Sequence, residues 1–187
     1  MKFCSECGAG VKIQTPPGDD RQRYVCNHCG FIHYQNPRIV AGSLPVWKDQ
    51  ILLCRRAIEP RYGLWTLPAG FMELGETTLE AAIRETREEA NARIQIKGLY
   101  VVINLPEVNQ VYMMFRAELL DLDFGPGTES LDVRLCSEAD IPWDELAFGT
   151  IRHTLNYYFN DRREGVFPLH MGDIVKEGDH FSYRSSS

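Results

Sequence analysis

No stretch of this chain approaches the roughly 18 consecutive apolar residues that a membrane-spanning helix requires, so no membrane span is expected. The opening residues, MKFCSECG, hold no apolar segment of the kind a secretory signal needs, and a cytoplasmic protein is expected. Positive charge is in deficit. Lys and Arg number 20 against 26 Asp and Glu, a net charge of −6, which argues against a general nucleic-acid binder with a basic field. There is no internal repeat and no low-complexity tract. What is present is 187 residues, room for one ordinary domain and a small appendage, with a hydrophobic content of 44% that suffices for a packed core.

Cysteines are few, and their placement is informative. Of the 6, Cys54 and Cys136 lie alone in apolar strands and are expected to be buried thiols, while Cys4-Ser-Glu-Cys7 and Cys26-Asn-His-Cys29 form two close pairs, each followed by glycine. This is the spacing of a four-cysteine zinc site in a reducing compartment. The turn within each pair sets two thiolates on one tetrahedral ion, and the glycine after it lets backbone N–H groups approach the sulfurs. His28 and His33 could substitute as ligands, but both are expected on the surface. Four cysteine ligands leave no open position, so the Zn²⁺ would be structural. Residues 1–36 are too few to fold on a core of their own, and zinc binding, on the order of 10 kcal/mol, would stabilise them.

Asn36-Pro37 ends this unit, because a residue before proline is pushed toward extended geometry. Ile39–Trp47 and Ile51–Arg55 then read as a hairpin, and Leu64–Leu67 as a short strand running into Pro68-Ala69-Gly70. Ile94–Asn104, Gln110–Leu119 and Leu131–Cys136 follow as strands, with a Gly/Pro loop over 122–130. A helix is expected from about Trp143 to Asp161, with Phe148, Ile151, Leu155 and Tyr158 on one face. From Arg163 the pattern is mixed and the last residues are expected to fray. Strands interleaved with two helices predict an α/β fold, a mixed sheet covered on both faces.

The chemistry centres on Gly70–Ala92, GFMELGETTLEAAIRETREEANA. Thr77 with Glu80 predicts a capping box, and Asn91 suits a left-handed C-cap. At 100° per residue, Glu85, Glu88 and Glu89 share a face of about 100°. Leu79, Ala82, Ile83, Thr86 and Ala90 fill the adjacent sector and are expected to pack on the core. Carboxylates at such spacing repel by about 3 kcal/mol per pair at roughly 5 Å. A cation in view would relieve this, and oxygen-only ligands point to Mg²⁺ or Mn²⁺.

Gly70, Glu76, Arg84-Glu85 and Glu88-Glu89 together resemble the Nudix box, G-x5-E-x7-R-E-U-x-E-E-x-G-U with U aliphatic. The chain departs at Thr86 and Ala92, where larger aliphatics are usual, and at Asn91, which replaces the second glycine. No carboxylate is lost and Asn91 can adopt the same cap geometry, so weakened packing is the most that is expected. A zinc ribbon ahead of the box is also the layout of the NADH pyrophosphatases, but the SQPWPFPxS-type sequence that follows the box in that group is missing. HYQNPRIVAG, LLCRRAIEPRYGLWTLPAGF and FGPGTESLDVRL look more like the plant chloroplast FAD and ADP-ribose pyrophosphatases and their bacterial relatives.

The resemblance implies a Nudix α/β/α sandwich with a mixed sheet, preceded by a small β zinc ribbon: ribbon over 1–36, hydrolase domain over 37–163, C-terminal tail over 164–187. It implies metal-dependent cleavage of FAD or ADP-ribose to release AMP, in a homodimer, with NADH or an NAD cap as the alternative substrate. Glu85, Glu88 and Glu89 would hold Mg²⁺ or Mn²⁺ with a backbone carbonyl near Ala69 or Gly70. Glu76 and Arg84 would fix the loop to the helix, and Glu129 is the candidate general base. Arg55, Arg56 and Arg61 could meet phosphates. Trp65, with Tyr62, Phe71, Tyr100 and Tyr112, could stack on a base, core packing being the competing role of each. His153 and His170 are read as structural. A reading from another class is a nucleotide sensor that does not cleave, with a nucleic-acid-binding ribbon. The intact carboxylate set opposes it, as does the ribbon's charge, Lys2, Lys12, Arg21 and Arg23 against Glu6, Asp19 and Asp20.

Overall fold

The apolar runs after Pro37 condense into one mixed sheet in the computed structural model, which describes residues 1–178 and 180–186 as two units, Met1–Pro37 and Arg38–Ser187. The first unit is a three-stranded antiparallel sheet of β1 (Val11–Gln14), β2 (Arg23–Cys26) and β3 (Ile32–His33).

The second unit contains β4 (Arg38–Trp47), β5 (Gln50–Arg56), β6 (Trp65–Thr66), β7 (Ala69–Phe71), α1 (Thr78–Ala90), β8 (Ile94–Leu105), β9 (Gln110–Leu119), β10 (Ser130–Cys136), α2 (Gly149–Glu164), β11 (His170–Glu177) and β12 (His180–Ser185). The strand order is β10-β5-β4-β9-β8-β11-β12, with β6 added to β5 and β7 to β4. The β4/β9 and β8/β11 pairs are parallel and the others antiparallel, so the sheet is mixed. Successive strand residues point to opposite faces. Leu44, Ile51, Leu53, Val101 and Met114 pack with Ile151, Leu155 and Phe159 of α2. Their neighbours face the other way: Ala41 and Phe115 meet Ala81 and Ala82 of α1, while Leu52, Cys54 and Ala117 meet Ala90. One helix therefore covers each face, as expected for the sandwich. Both lone cysteines are buried in these cores. Among the described residues no helix is long and apolar enough to cross a membrane.

Three expectations need correction. First, α2 begins at Gly149, not near Trp143; Trp143–Glu145 makes a separate 3-10 turn, and the extended backbone at Phe148, φ −139°, breaks the helical path between them. Gly165, at φ 72°, supplies a left-handed cap that carries the helix to Glu164. Second, the residues expected as a tail build two strands. β11 extends the sheet beside β8, pairing His170 with Val101, and Asn104 donates to Asp173 at 2.8 Å. Third, α1 is rotated about its axis relative to the expected packing. Its buried side is Ala81, Ala82, Thr86, Glu89 and Ala90, while Leu79 and Ile83 are 42% and 37% exposed. Small residues let the helix lie close on the sheet, and this turns Glu89 inward.

Candidate active site

Thr77 and Glu80 place the start of α1. The Thr77 hydroxyl accepts from the Glu80 N–H at 3.2 Å, and the Thr77 N–H donates to Glu80 Oε2 at 2.8 Å, a reciprocal cap contributing about 1 kcal/mol. Asn91 closes the helix in the left-handed conformation, φ 50°. Thr86, where an aliphatic residue is usual, is fully buried with its hydroxyl 2.6 Å from that of Ser43 on β4. A buried hydrogen bond thus replaces the expected apolar contact, and the packing is not loosened there.

Arg84 organises the outer carboxylates. Its Nε and Nη2 donate to the two Glu76 oxygens at 3.0 and 2.7 Å, and Nη1 donates to Glu85 at 2.7 Å and Glu88 at 2.9 Å. Nη2 also reaches the Phe71 carbonyl, 3.1 Å, which ties the loop to the helix. The bidentate contact with Arg84, together with the N–H of Glu73, lowers the Glu76 carboxyl to about 2.

Glu89 has weaker support, from the Ala69 N–H and the Arg56 charge. It is 6% exposed, and its Oε2 has no hydrogen-bond partner. Burial and then the nearby Glu85 charge push its carboxyl up to about 8. Burial likewise raises Glu85, against the pull of Arg84. Gly70 is needed for close approach: a Cβ there would stand 2.3 Å from the Glu85 carboxyl group. The residues before β10 complete the acidic group. Glu129 lies close enough that its charge acts on both Glu85 and Glu89.

These groups line one cleft of about 870 Å³, with Ala69, Gly70, Glu85, Glu88, Glu89 and Glu129 along it. Of the expected arginines, Arg56 lines the cleft, stacked 5.2 Å from the Phe148 ring and bonded through Nε to the Pro60 carbonyl. Arg55 instead donates to the Gly63 carbonyl, and Arg61 occupies an exposed left-handed turn, φ 72°; neither lines the cleft. Trp65 is corrected to a core residue, 4% exposed and packed in the α2-side core with Arg134 over its ring, because β6 is paired into the sheet. Tyr100 is buried in the same core and donates to Asp161 at 2.6 Å. Phe71 and Tyr112 do reach the cleft.

Sequence reasoning missed Arg38, which lines the cleft stacked 4.5 Å from the Phe71 ring, and it missed Gln110, Thr128 and Phe148 in this role. Arg38 opens β4 and Gln110 opens β9, partners in the parallel register, so only the strand pairing brings them together. His170, bonded to the buried Asp161 at 2.7 Å and stacked on Tyr157, is structural as expected.

In the first unit, ligand sulfurs of Cys4, Cys7, Cys26 and Cys29 all lie within 4.8 Å of one another. The Cys4–Cys29, Cys7–Cys26 and Cys7–Cys29 separations are 3.8, 3.4 and 3.5 Å. Zinc–sulfur bonds of about 2.3 Å in a tetrahedron require edges of about 3.8 Å, so the cluster fits a Zn²⁺ ion. Gly8 and Gly30 are left-handed, φ 71° and 74°, and the N–H groups of Cys29 and His28 donate to Cys26, lowering its thiol to about 6. His33, expected on the surface, is buried at 6% exposure against the Phe31 ring.

Residues 2–35 match the family described as Nudix N-terminal, and residues 36–156 match the NUDIX domain. Among curated proteins, the NAD-capped RNA hydrolase NudC of Photobacterium profundum is 31% identical over 76% of this chain and 52% of its own length. That of Edwardsiella ictaluri is 32% identical over 74% and 50%. The chain thus spans about half the length of these relatives. Among solved structures, a NUDIX hydrolase from Nitrosomonas europaea superposes with a TM-score of 0.92 at 54% identity, over 94% of this chain and 100% of that one. An ADP-ribose pyrophosphatase from Streptococcus suis shares the fold at TM-score 0.61 and 20% identity, over 73% and 99%. The box helix, the cysteine cluster and these matches together make the chain a member of the Nudix family, with the family's N-terminal zinc-ribbon module ahead of the Nudix domain.

Proposed function

We propose that the cleft hydrolyses the diphosphate bond of a nucleoside-diphosphate-linked substrate, FAD or ADP-ribose, and releases AMP. The observation that carries this reading is Glu89 Oε2, a buried carboxylate oxygen without a partner among Glu85, Glu88 and Glu129. Such a group is costly unless a cation completes it. The donor set is oxygen only: the three helix carboxylates with the Ala69 or Gly70 carbonyl. It fits a hard divalent ion, Mg²⁺ or Mn²⁺. Held by these residues, such an ion would supply positive charge to the diphosphate and acidify an attacking water.

The protein's own groups do the rest. Arg84 holds Glu85 and Glu88 in place and is itself locked by Glu76. Glu129 serves as general base, taking the proton of the attacking water. Arg56 and Arg38, each stacked on a ring at the cleft, supply cationic contacts for phosphate, and the Phe71 and Tyr112 rings offer surfaces for a base. Zn²⁺ on Cys4, Cys7, Cys26 and Cys29 is structural in this reading. The enzyme is placed in the cytoplasm, where thiols stay reduced. It is taken to be a homodimer on the family's pattern, and a monomer mass in light scattering would contradict that.

A second reading is cleavage of NADH or an NAD cap, favoured by the names of the curated relatives and opposed by the missing SQPWPFPxS sequence. In that reading a nucleic acid can be part of the substrate. The test is kcat/KM for FAD, ADP-ribose, NADH and an NAD-capped oligonucleotide, each with Mg²⁺ and Mn²⁺. FAD or ADP-ribose is expected to lead; a lead for NADH or the capped oligonucleotide would replace the first reading with the second. Tight, salt-sensitive nucleic-acid binding without any AMP release would instead favour a sensor.

A further inference from the structure

The loop that carries Glu129 is fastened to the C-terminal end of α1, whose last carbonyls have no partner within the helix. Two fastenings are backbone bonds: the Gly125 N–H donates to the Ala90 carbonyl at 2.9 Å, and the Gly127 N–H to the Glu89 carbonyl at 3.0 Å. The approach is so close that a Cβ on Gly127 would stand 1.6 Å from the Glu88 carbonyl oxygen. Two more come from one side chain. Asn91 Nδ2 donates to the Gly125 carbonyl at 3.2 Å and to the Pro126 carbonyl at 3.1 Å.

Asn91 is the residue at which this chain departs from the second glycine of the box. Glycine would meet the left-handed backbone requirement at φ 50° by itself. Asparagine tolerates the same conformation and adds a donor that spans two successive loop carbonyls. Beyond Pro126 the chain runs through Gly127 and Thr128 to Glu129, whose own carbonyl accepts from the Ala57 N–H at 2.8 Å. The loop is therefore pinned on one side by the helix end and on the other by the strand that bears Arg56. Thr128 and Glu129 lie between the pins and line the cleft.

We propose that Asn91 is a positioning residue for turnover: its side chain clamps the Gly125–Pro126 limb so that Glu129 stays against Glu85 and Glu89. The departure from the box is then a gain of function at that position. This rests on the reading of Glu129 as general base.

The experiment compares the wild-type enzyme with Asn91→Gly, Asn91→Asp, Glu129→Gln and the double variant Asn91→Gly/Glu129→Gln. Asn91→Gly restores the box residue and keeps the left-handed cap, so the fold is preserved; Asn91→Asp keeps the shape, removes the donor and sets a negative charge against the two loop carbonyls. Amide hydrogen exchange at Gly125 and Gly127 is measured alongside kcat and KM for the best substrate of the panel. The clamp predicts faster exchange at both glycines in both single Asn91 variants. It also predicts kcat lower by about tenfold with KM within about twofold, the pattern of a misplaced catalytic group. The double variant should be no slower than Glu129→Gln alone. Unchanged exchange overturns the clamp. Faster exchange with unchanged kcat, or losses that multiply in the double variant, overturns its action through Glu129. Full activity of Glu129→Gln overturns the reading of Glu129, and with it the role of Asn91 in turnover, while the exchange data still decide whether the clamp exists.

Discussion

The two candidate metal sites of this protein are built in opposite ways. The ribbon offers four sulfurs from two short turns, each turn complete within four residues, and they already sit close to the corners of a tetrahedron. The candidate cleft takes three carboxylates from one helix turn but finishes itself with Gly70 from β7, Glu129 from the loop before β10, Arg56 from β5 and Arg38 from β4. The first is local chemistry, in which the ion substitutes for a core. The second is a product of the fold, in which a packed sheet holds one carboxylate in a place it would not choose alone.

The largest effect expected from this contrast is on the ribbon. Stripping zinc with a chelator, or changing Cys26 to Ser, should unfold residues 1–36, a loss on the order of 10 kcal/mol for that unit. The 38–187 unit, with its own core, should keep its thermal transition. A single transition lost altogether in calorimetry would break the contrast by showing that the two regions depend on one another.

Next in size is Glu89→Gln, expected to lower kcat by about 10³-fold at saturating metal with the far-ultraviolet spectrum unchanged. Because Gln carries no charge to desolvate, the metal-free variant should also melt above the metal-free wild type. Smaller is the split between the two residues that sequence reasoning had grouped together. Trp65→Ala should cost about 3–5 kcal/mol of stability through a core cavity. Arg56→Ala should leave stability nearly unchanged and raise KM by about tenfold, the loss of one charged contact to phosphate. Urea melts and steady-state kinetics on the pair would show whether core and cleft are as separate as the geometry makes them.

A pH dependence is expected as well. Glu89 titrates in the folded, metal-free protein at about 8, above the ordinary 4.5. Between those values the folded state binds more protons than the unfolded one, so its stability is fully present below pH 4.5 and is lost as pH rises through about 8. The melting temperature of the metal-free protein should fall over that window, the stabilisation by Mg²⁺ or Mn²⁺ should grow, and Glu89→Gln should flatten both slopes.

The same contrast explains how much was legible in the sequence. Cys4, Cys7, Cys26 and Cys29 declared themselves because ligand spacing within a turn survives translation into three dimensions. The helix of Glu85, Glu88 and Glu89 did so for the same reason, with its capping box at Thr77 and Glu80. The burial of its face was misjudged, because hydrophobicity favoured Leu79 and Ile83 whereas close packing on Ala41 and Phe115 selected Ala81, Ala82 and Glu89. Arg38 and Gln110 could not be found from local pattern, since the β4–β9 register alone makes them neighbours. Nor could β11 and β12: their half-polar composition reads as tail until β8 offers an edge. Asn91 was visible as a departure from a motif, but its meaning lies in the loop that returns to it 34 residues later.

The central claim is that the α1 carboxylates form a divalent-cation site completed by the buried Glu89. Titration of Mn²⁺ into metal-free protein, followed by electron paramagnetic resonance of the free ion, tests it most directly in wild type and Glu89→Gln, with the ribbon zinc left in place. Saturable binding is predicted in the wild type, with an affinity at least about 100-fold weaker in the variant. Equal Mn²⁺ affinity in the two proteins would contradict it.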